Sequence, residues 1–393
     1  MEIWGKEKII MKLLLFNYEY PPLGGGAGNS TMSIAKAYSK LGHDVLVVTT
    51  WFEGLPEEDM ANNMKVLRVK SRRKRKDRSN PLEMLDYVGK TKKLKNIIKQ
   101  FNPDFSIGFM ALPSGLSSYY YFKTQNIPYI ISVQGGDVPG FLPDIKSLRI
   151  FQYLSMPLTK KIWKNSIKVV ANSRGLMQLA QKTGDKINIK TNFYPNGIDL
   201  NFFKPIDKKN EIVKILFVGR FYSQKGLNYL LESINILKES KLSKKFCLEL
   251  VGDGPEKSMI LSMVDKYKLH DYVKIIPWCN KEDLLKKYQN ADLFVLSSHE
   301  EGMPNVISEA MACGLPIVST RVRGSEELVK DGENGYLIEP KNSEQLADKI
   351  QKLIEDDALR NNFSKKSLEI ISNYSWENVA NYYIEVFKNN KNK

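Results

Sequence analysis

The sequence is poor in cysteine and histidine, with three of each in 393 residues. Cys247, Cys279 and Cys313 are scattered and odd in number, which argues against a disulfide framework and for a reducing, cytoplasmic setting. His43, His270 and His299 are too far apart for any zinc-ligand spacing. No Asp-x-Asp occurs, so a metal-bridged diphosphate has no obvious ligands, and neither metal nor other cofactor is expected. No apolar run approaches the roughly 18–20 residues that span a bilayer. Residues 1–10 lack an apolar core of signal-peptide length, and Met11 directly precedes the first apolar strand, so this segment reads as an upstream start with little structural role.

Acidic residues are also outnumbered: 44 Asp and Glu against 59 Lys and Arg leave a net charge of +15. The excess is uneven, with fourteen Lys or Arg and three acidic residues between Lys65 and Lys99, including Arg72-Arg73-Lys74-Arg75-Lys76. Such a block suits nucleic acid, an anionic membrane surface or an acidic substrate, and equally a solvated loop in a lysine-rich protein. Nucleic acid is disfavoured, because no aromatic interleaving or binding motif accompanies the charge. Residues 82–101 repeat apolar positions at helical spacing with a lysine-rich polar face, as a core-packing helix or one at a membrane interface would. Residues 141–164 mix Phe, Leu, Ile and Trp163 with five cations and suit an acceptor groove or a membrane contact.

The length implies two domains. Lys12 to Tyr18 is a buried strand, followed by a loop carrying Gly24, Gly25 and Gly26, a helix from about Asn29 to Leu41 and a second strand from Val45 to Thr49. Glycines there let a backbone approach a phosphate or sugar, but G-G-G-A-G is not the dinucleotide fingerprint G-x-G-x-x-G, which disfavours a nicotinamide-dependent oxidoreductase. A second glycine turn, Gln134-Gly135-Gly136-Asp137, ends the strand from Pro128. After a polar linker at 203–210 the strand–helix alternation restarts at Val213 and runs to Gly335-Tyr336-Leu337-Ile338, with helices near 343–355 and 357–371. The fold class expected is α/β: two Rossmann-like, doubly wound domains facing each other across a cleft, residues 1–200 and 201–374. A last helix over 375–393 is expected to pack back on the first domain.

One stretch organises the second half. The strand Asp292 to Leu296 runs into Ser297-Ser298-His299-Glu300-Glu301-Gly302-Met303-Pro304-Asn305-Val306, and a helix beginning at Pro304 or Asn305 carries Glu309. Backbone N–H groups from Gly302 to Val306 offer donors to an anion, with Glu301 and Glu309 placed to grip hydroxyls on either side. Phosphate flanked by two polyols describes a nucleotide sugar.

Four markers stand in order: Gly219-Arg220 with Lys225-Gly226, Gly252-Asp253-Gly254-Pro255, the pair Glu301 and Glu309, and Gly324 with Glu327. Together they resemble the retaining glycosyltransferases of family 4, the group 1 transferases of the GT-B fold. The resemblance implies that Arg220 and Lys225 bind the donor's diphosphate without a metal, that Glu309 holds the ribose, and that Glu301 faces the transferred sugar. Gly302, Met303, Pro304, Asn305 and Val306 would complete the cradle, Gly24 to Gly26 would approach the same diphosphate, and Trp278 would contact the base or sit in the core. Family members commonly carry His-Gly-x-Asp where this chain has Gln134-Gly135-Gly136-Asp137. Gln134 can still hydrogen-bond the donor sugar but carries no charge at any pH. The implied partners are a nucleoside-diphosphate sugar and a carbohydrate or lipid-linked acceptor; the basic surface of the first domain favours a lipid-linked one, with peripheral contact at the cytoplasmic face of an anionic membrane. A nucleotide-sugar epimerase of the same fold is the rival reading; it would want acid/base side chains that this sequence supplies sparsely.

Overall fold

The computed structural model describes residues 10–76, 79–141 and 146–391. The upstream-start reading of residues 1–10 therefore falls almost wholly outside the described residues, as do short parts of the 65–99 and 141–164 segments. The chain divides into two compact units, residues 1–197 with 376–393, and residues 198–375.

The first unit is an eight-stranded sheet ordered β3-β4-β2-β1-β5-β6-β7-β8. Its strands are β1 (Lys12–Phe16), β2 (Asp44–Thr50), β3 (Glu58–Ala61), β4 (Met64–Val69), β5 (Phe105–Phe109), β6 (Tyr129–Val133), β7 (Val169–Ala171) and β8 (Thr191–Phe193). All pairs are parallel except β3 with β4. Leu13 and Leu15 of β1 enter one apolar cluster while Leu14 and Phe16 enter another, as the period of two requires of a strand covered on both faces. The helices are α1 (Gly26–Lys40), α2 (Pro81–Lys92), α3 (Lys95–Phe101), α4 (Leu116–Gln125), α5 (Lys146–Asn165) and α6 (Arg174–Gly184). The C-terminal helix Trp376–Lys391 adds Val379, Ala380, Tyr383 and Phe387 to the first cluster, with Phe387 stacked on Phe105 at 4.6 Å.

The second unit is a six-stranded, all-parallel sheet ordered β11-β10-β9-β12-β13-β14. It contains β9 (Val213–Val218), β10 (Phe246–Val251), β11 (Val273–Ile276), β12 (Leu293–Leu296), β13 (Ile317–Thr320) and β14 (Gly335–Ile338). Its helices are α7 (Leu227–Glu239), α8 (Lys257–Lys266), α9 (Lys281–Asn290), α10 (Asn305–Ala312), α11 (Ser325–Leu328), α12 (Ser343–Glu355) and α13 (Asp357–Ile371). In this order β9 and β12 are neighbours reached from opposite directions, and the crevice at such a switch point lies beyond the strands' carboxyl ends.

Three sequence expectations change. The helix expected from Asn29 begins at Gly26, so the glycine run enters its first turn. Residues 82–101 are two helices: Lys93 and Leu94 donate to carbonyls three residues back, tightening the end of α2 before α3 begins. The basic block changes in part: Arg68 and Arg73 are structural, while most of its other described cations are exposed, as in a solvated segment. Lys65 and Arg68 lie on β4, Arg68 is buried against Asp59 at 2.6 Å, and buried Arg73 lies over the Tyr18 ring at 4.7 Å while donating to the carbonyls of Arg75 and Lys76.

Candidate functional site

Lys225 and Glu301 meet at the carboxyl ends of β9 and β12. The Lys225 Nζ lies 2.6 Å from Glu301 Oε1, both side chains are largely buried, and the Ser298 hydroxyl donates to the same oxygen at 2.6 Å. The two loops are stitched together by backbone. His299 N–H donates to the Gln224 carbonyl at 2.7 Å, Ser297 Oγ to the Lys225 carbonyl at 2.8 Å, and Thr320 Oγ1 to the Ser298 carbonyl at 2.6 Å. Gly226 permits this seam: it has φ +61°, and a Cβ there would lie 2.3 Å from the Ser297 carbonyl oxygen. Gly226→Ala is expected to cost about 1–3 kcal/mol and to lower turnover at least about tenfold without touching a charge. Thermal unfolding beside a turnover assay checks this, and wild-type values for both would contradict the seam's importance.

Arg220 follows β9 and is exposed, and its guanidinium makes no ion pair or hydrogen bond among the described residues. Its loop is held by the glycine turn after β10, where Phe221 N–H donates to the Asp253 carbonyl and Glu256 N–H to the Phe221 carbonyl, both at 2.9 Å. The loop after β13 closes the other side. Gly324 has φ +78°, and a Cβ on it would sit 2.5 Å from the Gly302 carbonyl oxygen, so only glycine lets this loop rest on Gly302 and Met303.

Gly302, Met303 and Pro304 are buried, Asn305 and Val306 partly so, and Pro304 stands at the cap position of α10 with no side-chain acceptor. One turn in, the Glu309 carboxyl accepts a 2.7 Å hydrogen bond from the hydroxyl of fully buried Tyr288. Burial raises Glu309 from 4.5 to about 7, against the opposing pull of that hydrogen bond and of Lys281. Burial lowers His299, as does the nearby charge of Lys341. Trp278 is 60 % exposed just beyond β11, which removes the core-tryptophan alternative.

In the first unit, Gln134 sits past β6 with its amide fixed at both ends. Its Nε2 donates to Ser132 Oγ at 2.7 Å, and its Oε1 accepts from Asn172 Nδ2 at 3.3 Å. Ser132 also accepts from the Tyr383 hydroxyl of the C-terminal helix at 2.8 Å. The Asp137 carboxyl takes the N–H groups of Gln134, Gly135 and Ala111 at 3.1–3.2 Å, and burial lifts it to about 6 against those bonds. At the glycine loop, Gly24 N–H donates to the Lys76 carbonyl and Gly25 N–H to Glu19 Oε2 at 3.4 Å. A carboxylate that sequence reasoning had not singled out thus stands at the turn meant for an anion. Ser298 and Tyr288 had not been singled out either. Ser298 lies only three residues before Glu301, whereas nothing local marks Tyr288.

Residues 199–369 match the family model described as glycosyl transferases group 1, and residues 24–202 match that of Glycosyltransferase Family 4. The chain belongs to the family 4, group 1 glycosyltransferases. A relative described as an uncharacterized glycosyltransferase of Methanocaldococcus jannaschii is 26 % identical over 396 residues, covering 96 % of this glycosyltransferase and 98 % of that one. The N,N'-diacetylbacillosaminyl-diphospho-undecaprenol alpha-1,3-N-acetylgalactosaminyltransferase of Campylobacter jejuni is 26 % identical over 75 % of this chain and 79 % of its own. Among solved structures, Anabaena HepE in complex with UDP and glucose superposes with a TM-score of 0.72 at 20 % identity, covering 96 % of this chain and 100 % of that one. The fold of this glycosyltransferase is accordingly of the GT-B class, with two doubly wound α/β units. Among its described residues no helix is long and apolar enough to cross a membrane.

Proposed function

We propose that this glycosyltransferase moves a sugar from a nucleoside-diphosphate donor to an acceptor hydroxyl with retention of anomeric configuration, in the assembly of a cell-envelope polysaccharide or glycolipid at the cytoplasmic membrane face. The observation that carries the reading is the Lys225–Glu301–Ser298 cluster at the switch point of the second sheet. An ammonium has three N–H donors, so Lys225 keeps two for phosphate oxygens while one holds Glu301. Glu301 Oε1 receives both Lys225 and Ser298, which leaves Oε2 for a hydroxyl of the transferred sugar. Arg220 adds a planar fork suited to the second phosphate. Gly302 to Val306 supply the cradle's backbone, and the Glu309 oxygen not taken by Tyr288 accepts from the ribose. Within the first unit, Gln134 and the loop Gly24, Gly25, Gly26 are the candidate sugar- and phosphate-binding groups.

In this reading the departing pyrophosphate is neutralised by fixed cations and takes the acceptor's proton, with no metal required. UDP in the HepE complex supports a nucleotide-sugar donor, and the undecaprenyl carrier named for the Campylobacter relative supports a lipid-linked acceptor. The test is incubation with a panel of UDP-, GDP- and ADP-sugars, assaying released nucleoside diphosphate and then the anomeric coupling of the product by NMR. Acceptor-stimulated release with a retained anomer is expected. Recovery of an epimerised donor would favour the epimerase, and neither release from nor epimerisation of any donor would sink both.

A further inference from the structure

The outward face of α5 is unlike that of a helix dissolved in water. Ile150, Tyr153 and Leu154 are 58 %, 74 % and 73 % exposed and adjoin one another on a single face. Lys146 and Lys164 continue the same stripe at its two ends, about 27 Å apart at 1.5 Å per residue. At 3.6 residues per turn these five positions with Arg149 and Lys161 occupy an arc of about 140°. The opposite face buries Ile162 and Trp163 in the first unit's core, so the stripe is held outward by packing. The helix carries five Lys or Arg and no acidic residue in twenty positions.

An apolar centre between two cationic ends matches a lipid interface, where rings and alkyl groups enter the acyl boundary and lysines reach the headgroups. Association of two such faces would set cation against cation. The 65–99 segment fits less well, since Lys65 and Lys70 pair with Glu58 and Glu57, Arg68 and Arg73 are buried, and Glu83 and Asp86 interrupt α2. We propose that α5 is the surface by which the chain lies on an anionic membrane, with Ile150, Tyr153 and Leu154 inserted. This rests on the membrane-linked acceptor proposed above for its purpose, but not for the binding itself.

The experiment is co-sedimentation of the full chain with phosphatidylcholine vesicles, with and without phosphatidylglycerol, at low and high salt. Binding to the anionic vesicles at low salt is expected, with the bound-to-free ratio falling at least about tenfold in Leu154→Glu and in Tyr153→Ser. Circular dichroism and donor hydrolysis without lipid should stay at wild-type values in both variants. Undiminished binding by both variants would overturn the proposal, as would failure of the wild type to bind at low salt. A dimer seen by light scattering and dissociated by Leu154→Glu would also overturn it, as an interface between copies. Vesicle binding without turnover of any donor would sink the transfer reading and leave this one standing; the converse result separates them equally.

Discussion

Lys225→Ala is expected to lose both transfer and stability, whereas Arg220→Ala loses transfer alone. Each removes a cation proposed to stabilise the leaving pyrophosphate, and deleting one preorganised donor of that kind costs about 10²–10³-fold in turnover. Their structural settings differ. Arg220 is exposed and supports nothing in the fold, so its removal leaves the melting temperature unchanged. Lys225 neutralises Glu301 in a setting where the two side chains are 16 % and 11 % exposed. Truncating it leaves a carboxylate with only Ser298, and after allowance for residual solvent this costs about 2 kcal/mol, equivalent to roughly 4–8 °C in a domain of this size. The double change Lys225→Met with Glu301→Leu removes both charges and is expected to recover most of that temperature while leaving the enzyme inactive. Calorimetry and a nucleotide-release assay on the four proteins check the scheme; wild-type turnover in either single alanine variant would defeat the placement of the phosphate site.

The two sheets and most of their helices were legible in the sequence, because a parallel strand covered on both faces needs an unbroken apolar run. Leu13-Leu14-Leu15-Phe16 and Leu293-Phe294-Val295-Leu296 announce themselves that way. The β3–β4 hairpin was not, since Glu58 and Asp59 are poor strand formers and every residue of β3 is exposed. Nor was the break between α2 and α3, where neither glycine nor proline marks the turn. Two arginines of the basic block were hidden for a related reason: whether an arginine is solvated depends on what lies opposite, and Asp59 and the Tyr18 ring meet Arg68 and Arg73 only once the sheet has formed.

The candidate site divides similarly. Glu301 and Glu309 could be named because loop composition marks the strand end where they fall, and Lys225 because the family resemblance implies it. Their supports could not, because those arrive through tertiary structure: Tyr288 comes from a different helix, and Tyr383 reaches Ser132 from 251 positions away. Glu19 escaped notice because a carboxylate beside a glycine turn looks like loop until its oxygen is found on Gly25.

Glu309→Gln is expected to make the protein more stable and less able to bind its donor, with pH separating the two effects. Burial raises this carboxyl from 4.5 to about 7. Below pH 4.5 it is protonated in both folded and unfolded chains and contributes no difference. Between 4.5 and 7 the unfolded chain ionises first, so stability falls as pH rises, and above 7 the loss levels off at about 1–3 kcal/mol. Glutamine keeps the shape and the acceptor for Tyr288, so the variant should gain that amount over wild type at pH 8 and nothing at pH 4. Donor binding should run the other way, because only the carboxylate accepts from two ribose hydroxyls at once: wild-type KM for the donor falls as pH rises through about 7, whereas the variant's is at least about tenfold higher and flat with pH. Tyr288→Phe removes a bond that favours ionisation and should move the wild-type inflection to higher pH. Melting temperatures at pH 4 and 8 with KM profiles for the three proteins decide it. A glutamine variant no more stable at pH 8, with an unchanged profile, would mean that the buried carboxyl serves the fold and not the nucleotide.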